Sequence, residues 1–281
     1  MQIVYLGTAA AEGIPGIYCN CDACRRALKA GGRNIMTRSQ VLIDGRLLVD
    51  FGPDTYAHFL RMGRTMYDIG HVLITHSHID HFSLCEAPNR PEGMSHGITH
   101  KKMKIYAVAE IAEGMAEEAE RQRLIGRKLF NEFFEPVSLK LYQTVDVGGY
   151  KVTPLPARHS TKEQPLLFLI EKDGKSMFYG NDTGIFGNEI DDWLAANGKH
   201  IDLLSLDCTK EDTEFDYYTH MCMAEDRKIA DRFADRGIIG ADTKLVVTHF
   251  SHNGGLIYDE LVKAAEKYGF TVAYDGFTVD L

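Results

Sequence analysis

No apolar run in this sequence approaches the roughly 18 to 20 residues needed to cross a bilayer as a helix, so a helical membrane protein is excluded. There is no basic excess either. Lys and Arg number 31 against 40 Asp and Glu, for a net charge of −9. A polyanion is held mainly by Lys and Arg contacts to phosphates, so nonspecific nucleic-acid binding is disfavoured. Internal repeats, low-complexity tracts and Pro/Ser-rich linkers are missing. A single domain over residues 1–281 is therefore expected. The opening MQIVYLG lacks the basic region and long apolar core of a secretory signal and reads as a first strand, so a cytoplasmic location is expected. In that setting the six cysteines, Cys19, Cys21, Cys24, Cys85, Cys208 and Cys222, are not read as disulfides. For the clustered three, metal binding is the better reading.

Composition is otherwise that of a globular protein, with 44% hydrophobic and 25% charged residues. The first half carries the β-rich runs QIVYL, SQVLID, RLLVDF, HVLIT and KMKIYAV. Asp44-Gly45 between the second and third is a hairpin signal. A helix is expected at 54–62, and residues 110–134 read as mostly helical. The second half repeats the rhythm. PVSLKLY, YKVTPLPA, LLFLIEK and SMFYGND read as strands, with a second hairpin signal at Asp173-Gly174. A helix near 188–196, the strand HIDLLSLD, a helix near 221–236, the strand KLVVTHF, a helix near 256–268 and a terminal strand pair follow. Strand-rich halves that each acquire helices are accommodated most economically as two sheets packed face to face with helices outside.

Residues 76–81 read HSHIDH, directly after an apolar run. Imidazole and carboxylate are ligands for Zn, Mn or Fe. A lone His would be an ordinary loop residue, but four potential ligands in six positions at a strand end are not. They exceed what one ion takes from one loop. His76 and His78 suit one ion, Asp80 and His81 a second. Further ligands must come from elsewhere, and His159, Asp182 and His249 each follow a predicted strand.

HSHIDH resembles the H-x-H-x-D-H signature of the metallo-β-lactamase superfamily, and the likeness extends along most of the chain. LLVDFGPD resembles the family's early strand-end Asp motif, which implies that Asp50 orients a ligand from behind. The resemblance implies an α/β fold, the αββα sandwich, with two mixed β-sheets, helices on both outer faces and metals at one edge. It further implies one ion on His76, His78 and His159, a second on Asp80, His81 and His249, and Asp182 bridging them. Two such ions would supply a bound hydroxide for hydrolysis, with Asp80 orienting it or accepting its proton.

Cys19, Cys21 and Cys24 form C-x-C-x-x-C within a loop at about 17–26. Thiolates at this spacing can wrap one tetrahedral zinc. His252, three residues beyond His249, is the candidate fourth ligand, and four protein ligands would make this zinc structural. The N-terminal C-x-C-x-x-C with T-H-x-x-H resembles the PhnP-type cyclic phosphodiesterases, and GTAAAEGIPGIYCNCDAC also resembles the PqqB branch. PqqB-like proteins carry an incomplete H-x-H-x-D-H, so the intact motif favours a hydrolase. His220, in THMCMAEDRKIAD, resembles the motif that supplies a catalytic histidine for phosphodiester cleavage. That implies a proton donor to the leaving oxygen or a stabiliser of phosphate charge.

The expectation is a phosphodiesterase for a small cyclic phosphodiester, of the ribose 1,2-cyclic phosphate type, using two divalent metals (Zn, Mn or Fe) and one structural zinc. A tRNA 3′-processing-type nuclease is one alternative. Against it stand the acidic charge and the 22 residues between His159 and Asp182, where a hairpin replaces a protruding arm. A lactonase or thioesterase and a PqqB-like non-hydrolytic metalloenzyme are the others. The expected partner is a small-molecule substrate, with no membrane and no nucleic acid, and a homodimer is left open. After HSHIDH the family commonly continues into a Gly-Leu segment. Here a long Pro/Gly-broken loop runs to about residue 100. In it, His96 and His100 read as surface residues and Arg90 as a candidate phosphate contact.

Overall fold

A computed structural model describes residues 1–213 and 218–281. The chain runs β1 (Gln2–Gly7), α1 (Asp22–Ala30), β2 (Gln40–Ile43), β3 (Leu47–Val49), α2 (Thr55–Arg61) and β4 (His71–Leu73). It continues through β5 (Met103–Val108), α3 (Ala109–Arg121), α4 (Arg127–Phe133), β6 (Phe134–Leu139), β7 (Val145–Val147), β8 (Tyr150–Pro156), β9 (Leu166–Lys172) and β10 (Lys175–Gly180). It ends with α5 (Asn188–Ala196), β11 (Leu203–Asp207), α6 (Met223–Asp235), β12 (Lys244–Thr248), α7 (Tyr258–Glu266), β13 (Thr271–Val272) and β14 (Phe277–Asp280).

The strands form two seven-stranded sheets, ordered β14-β1-β2-β3-β4-β5-β6 and β13-β12-β11-β10-β9-β8-β7. Each is mixed for the same reason. Tight turns make antiparallel pairs, and helical crossovers make parallel ones. Asp44 and Gly45 both take positive φ (49° and 66°), as do Asp173 and Gly174 (51° and 73°). That is the type I′ geometry that joins β2 to β3 and β9 to β10. From β3 to β6, and from β10 to β13, pairing is parallel.

Alternation along the strands builds two cores. Phe168, Ile170, Met177 and Tyr179 join residues of the first sheet in one buried cluster. Their neighbours Leu167, Leu169 and Phe178 point the other way, into a second cluster with Ile190, Ile229, Phe233 and Leu261 from α5, α6 and α7. Both faces of these strands are covered, which is why they read as continuous apolar runs. The αββα class follows. No described helix is long and apolar enough to cross a membrane.

The structure differs from the sequence reading at several points. The cysteine loop is half helix: α1 begins at Asp22, with the Cys21 sulfur accepting the Cys24 N–H as N-cap. Residues 110–134 hold two helices, interrupted where Arg123 takes φ 57°. Strand β7 went unread, although Gly148-Gly149 (φ 61° and 91°) makes its hairpin with β8. The terminal strands do not pair with each other. β13 lies beside β12 in one sheet and β14 beside β1 in the other.

One buried group on α6 gives a stability prediction. Burial, reinforced by the nearby Asp207, pushes the Asp226 carboxyl well above its usual value. The folded protein keeps a proton that the unfolded chain sheds from about pH 4 upward, so stability falls as pH rises above that point. Asp226→Asn should flatten the slope of the urea midpoint between about pH 5 and 8. Parallel slopes for the two proteins would rule this out.

Candidate metal centre

The ends of β3, β4, β8, β10 and β12 meet at one edge of the sandwich, and each is followed by a titratable side chain. Asp50, Asp182 and His249 adopt left-handed backbone (φ 68°, 50° and 65°), a region that residues other than glycine seldom enter. The turn folds each side chain back over its strand end. Gly52 is required beside them, because a Cβ there would lie 1.9 Å from the Asp80 carbonyl oxygen.

Four imidazoles are anchored through Nδ1 and present Nε2. His81 Nδ1 meets Asp50 Oδ2 at 2.7 Å, and Asp50 Oδ1 is held by the Thr75 N–H and hydroxyl. His76 Nδ1 meets the Thr75 hydroxyl at 3.0 Å, His159 Nδ1 the Thr219 carbonyl at 3.3 Å and His249 Nδ1 the Thr209 hydroxyl at 2.8 Å. His78 instead turns Nδ1 to within 3.0 Å of His159 Nε2. Such outer contacts fix tautomer and ring orientation.

The presented atoms converge in two groups. The donor atoms of His76, His78 and His159 lie within 4.8 Å of one another, as do those of Asp80, His81 and His249. Asp182 touches both groups. Its Oδ2 is 2.8 Å from both His81 Nε2 and His249 Nε2, and its Oδ1 is 3.6 Å from His159 Nε2. These approaches lack hydrogen-bond angles, and Nε2 of His76, His81 and His249 and Oδ2 of Asp182 are buried with no hydrogen-bond partner among the described residues. Buried polar atoms are rarely left so. Lone pairs aimed at a common point suit divalent cations, and the N/O donor set suits Zn, Mn or Fe.

The electrostatics are divided. Burial holds His76 well below its usual pKa, keeping it neutral. Burial also disfavours the charged form of His81, but Asp182, Asp80 and Asp50 outweigh it and raise the group. Asp182 is depressed because His249 and His81 outweigh its burial. Carboxylates gathered around imidazoles at a largely buried site are a charge pattern a divalent ion would complete.

The second constellation also closes. Cys19 and Cys21 Sγ lie 3.7 and 3.6 Å from His252 Nδ1, and all four donors including Cys24 fall within 4.8 Å. Zinc bonds of 2.3 Å to sulfur and 2.0–2.1 Å to nitrogen in a tetrahedron need an S···N edge of about 3.6 Å, so the residues fit that ion. The Cys24 N–H lowers the Cys21 thiol to about 7.

The family model described as "Beta-lactamase superfamily domain" matches residues 45–276. The chain belongs to the β-lactamase superfamily. The Cys19/Cys21/Cys24 segment lies before the matched region. Over 151 residues the chain is 30% identical to Coenzyme PQQ synthesis protein B of Methylobacterium nodulans, a match that covers 49% of each. The chain thus spans about half the length of that curated relative. Among solved structures, zinc-bound PqqB from Methylobacterium extorquens superimposes with TM-score 0.74 at 22% identity, covering 100% of both chains. A diphosphatase of the PhnP family gives TM-score 0.74 at 21% identity, covering 100% of this chain and 97% of that one. At these identities the likeness is one of fold.

On this superfamily scaffold two residues escaped the sequence reading. Asp207, fully buried at the end of β11, accepts from His220 Nδ1 at 2.9 Å and from the backbone N–H of Thr209 and Met221. Burial disfavours the His220 imidazolium, but the Asp207 carboxylate outweighs it and pushes the group up to about 9. The His220 ring packs 4.9 Å from His159 and 5.7 Å from His249. Gly184 lets its segment close on this region, since a Cβ there would lie 1.8 Å from the Tyr218 carbonyl oxygen. The second residue, Glu163, accepts from the Ser77 hydroxyl at 2.7 Å and the Ser77 N–H at 3.1 Å, tying loop 160–165 to HSHIDH. Asp207 ends β11 in LLSLDCT, a position that nothing in the local pattern distinguishes. Arg90 is not beside the cluster. It is buried and lines a separate cavity. His96 and His100 are exposed, as read.

Proposed function

We propose that this protein is a metal-dependent phosphodiesterase acting on a small cyclic or otherwise activated phosphodiester, of the ribose cyclic phosphate type. The observation that carries the reading is the pair of three-donor groups that share Asp182, with the Asp207-paired His220 stacked on His249 and edge-on to His159. His76, His78 and His159 would hold one divalent ion, Asp80, His81 and His249 the other, and Asp182 both. Ions so held would activate a water and neutralise charge developing on the phosphoryl oxygens.

The chain's own residues do the rest. Asp50, Thr75 and Thr209 fix the imidazoles, and Asp80 orients the attacking water or takes its proton. Asp207 holds His220 through Nδ1, and His220 would donate a proton to the departing oxygen. Metal-loaded protein should hydrolyse bis(p-nitrophenyl) phosphate and ribose cyclic phosphates. Turnover no higher than that of Asp182→Ala would sink the reading.

Cys19, Cys21, Cys24 and His252 would hold a structural zinc that pins α1 to the loop after β12. Cys24→Ser should release one zinc per chain and lower Tm by about 5 °C or more. Elemental analysis with thermal melting reads both, and an unchanged zinc content would refute the clip.

The 30% identity to a PQQ synthesis protein favours one second reading, a non-hydrolytic oxygen-dependent metalloenzyme. Iron in protein purified without oxygen, together with oxygen uptake and no phosphodiester turnover, would establish it instead.

A further inference from the structure

Behind the metal centre lies a cavity of about 470 Å³ that none of the proposed ligands lines. Phe51, Phe59, Met103 and Phe134 are among its walls. Phe51 places it, since its N–H donates to the His81 carbonyl at 2.7 Å. At the mouth stand Tyr56, Leu60, Tyr67 and Met94, exposed by 64, 55, 48 and 66%. Four large apolar side chains left to water around one opening form a patch of the kind that marks a binding site.

Two cations line this cavity, Arg64 and Arg90, and Arg64 is already paired with Asp68 at 2.6 Å. Arg90 is 8% exposed. Its Nη2 donates to the His100 carbonyl at 2.6 Å, its guanidinium lies 5.9 Å from the Phe134 ring, and its Nε is buried without a hydrogen-bond partner among the described residues. No carboxylate among the described residues is within ion-pair distance of it. The nearby Glu86 is engaged by the Asn89 amide at 2.7 Å. Burial lowers the Arg90 pKa with no opposing charge to offset it. A guanidinium stays ionised in a protein, so this is a buried charge without a counter-ion among the described residues, which is costly unless something supplies one.

We propose that this cavity binds an amphipathic carboxylate, its chain among the apolar walls and its carboxylate on Arg90. Arg90, which lines the cavity, can offer a carboxylate charge-assisted hydrogen bonds. A dianionic phosphate would set its second charge against Glu86, with Arg64, the other cation of the lining, already paired with Asp68. The site is independent of the reaction assigned to the metal centre.

Calorimetric titration of the metal-loaded full chain with octanoate, 1-octanol and octyl phosphate tests this. Octanoate should bind at least about tenfold tighter than either of the others, the equivalent of one charge-assisted contact. Arg90→Met should bring octanoate down to the level of octanol. Tyr56→Glu, at an exposed position where folding is not at risk, should weaken octanoate by a similar factor through charge repulsion, and so serves even if Arg90→Met fails to fold. Asp182→Ala should keep octanoate binding intact. Octanoate no tighter than octanol, octyl phosphate tighter than octanoate, or octanoate binding lost in Asp182→Ala would each overturn the proposal.

Discussion

Replacing Asp182 by Ala should lower phosphodiester turnover by about a thousandfold or more, some 4 kcal/mol of barrier, and remove two divalent ions per chain while leaving the zinc on the cysteines. Asp182 is singled out because it is the one proposed ligand that touches both donor groups. Its Oδ2 lies 2.8 Å from the Nε2 atoms of His81 and His249, and its Oδ1 faces His159. Loss of any single histidine would leave the other ion with its own donors. Loss of the shared carboxylate removes a ligand and a negative charge from each. Asp182→Asn keeps the shape and one coordinating oxygen but not the charge, so it should fall between wild type and Asp182→Ala in both metal content and turnover. Elemental analysis beside a phosphodiester assay reads the two together. A variant that loses activity yet keeps three metals per chain would break the link between Asp182 and the ions. One that loses all three would show a folding defect rather than a ligand defect.

How far the sequence carried this picture depended on distance along the chain. HSHIDH is dense, and four donors in six positions after an apolar run have few explanations other than a metal. The two Asp-Gly hairpins were legible because their left-handed turns demand those residues. By contrast, Asp275-Gly276 looks like a third hairpin between β13 and β14 and is not one. The Asp275 carboxylate is taken by Thr8, by the Thr37 N–H and by Arg61. The Ala273 N–H bonds to Val247 in one sheet, and the Gly276 N–H bonds to Tyr5 in the other. The segment carries the chain from one layer to the next, a choice made by partners far away in sequence. Glu163 and Ser77 are 86 positions apart, and no local pattern announces such a contact. Helix α1 was missed because a cysteine sulfur stands where Ser, Thr, Asp or Asn usually caps. Arg90, read as a candidate phosphate contact, is instead buried against a separate cavity, because the Pro/Gly-broken segment folds over apolar residues there.

His220→Ala should separate the chemistry of the leaving group from that of the metals. With an alkoxide leaving group, as in a ribose cyclic phosphate, the departing oxygen needs a proton. Loss of a positioned acid then costs about 10² to 10⁴ in rate. With p-nitrophenolate, a stable anion, the proton is hardly needed, and the same variant should lose about tenfold or less. The metal content should not change, because the proposed ligands are all retained. Asp207→Asn supplies the companion measurement. Asp207 reaches the reaction through His220 at 2.9 Å and also holds the backbone N–H of Thr209 and Met221. Its amide keeps the shape of the carboxylate and removes the charge that favours the imidazolium. It should therefore reproduce the leaving-group dependence of His220→Ala in weaker form, with kcat on the cyclic substrate falling more than KM changes. If His220→Ala instead slowed both substrates equally, His220 would act on the phosphoryl oxygens, whose charge develops with either leaving group. If neither substrate were affected, its pairing with Asp207 would be a structural contact at the rim of the site, and the proton for the leaving oxygen would have to come from solvent or from Asp80.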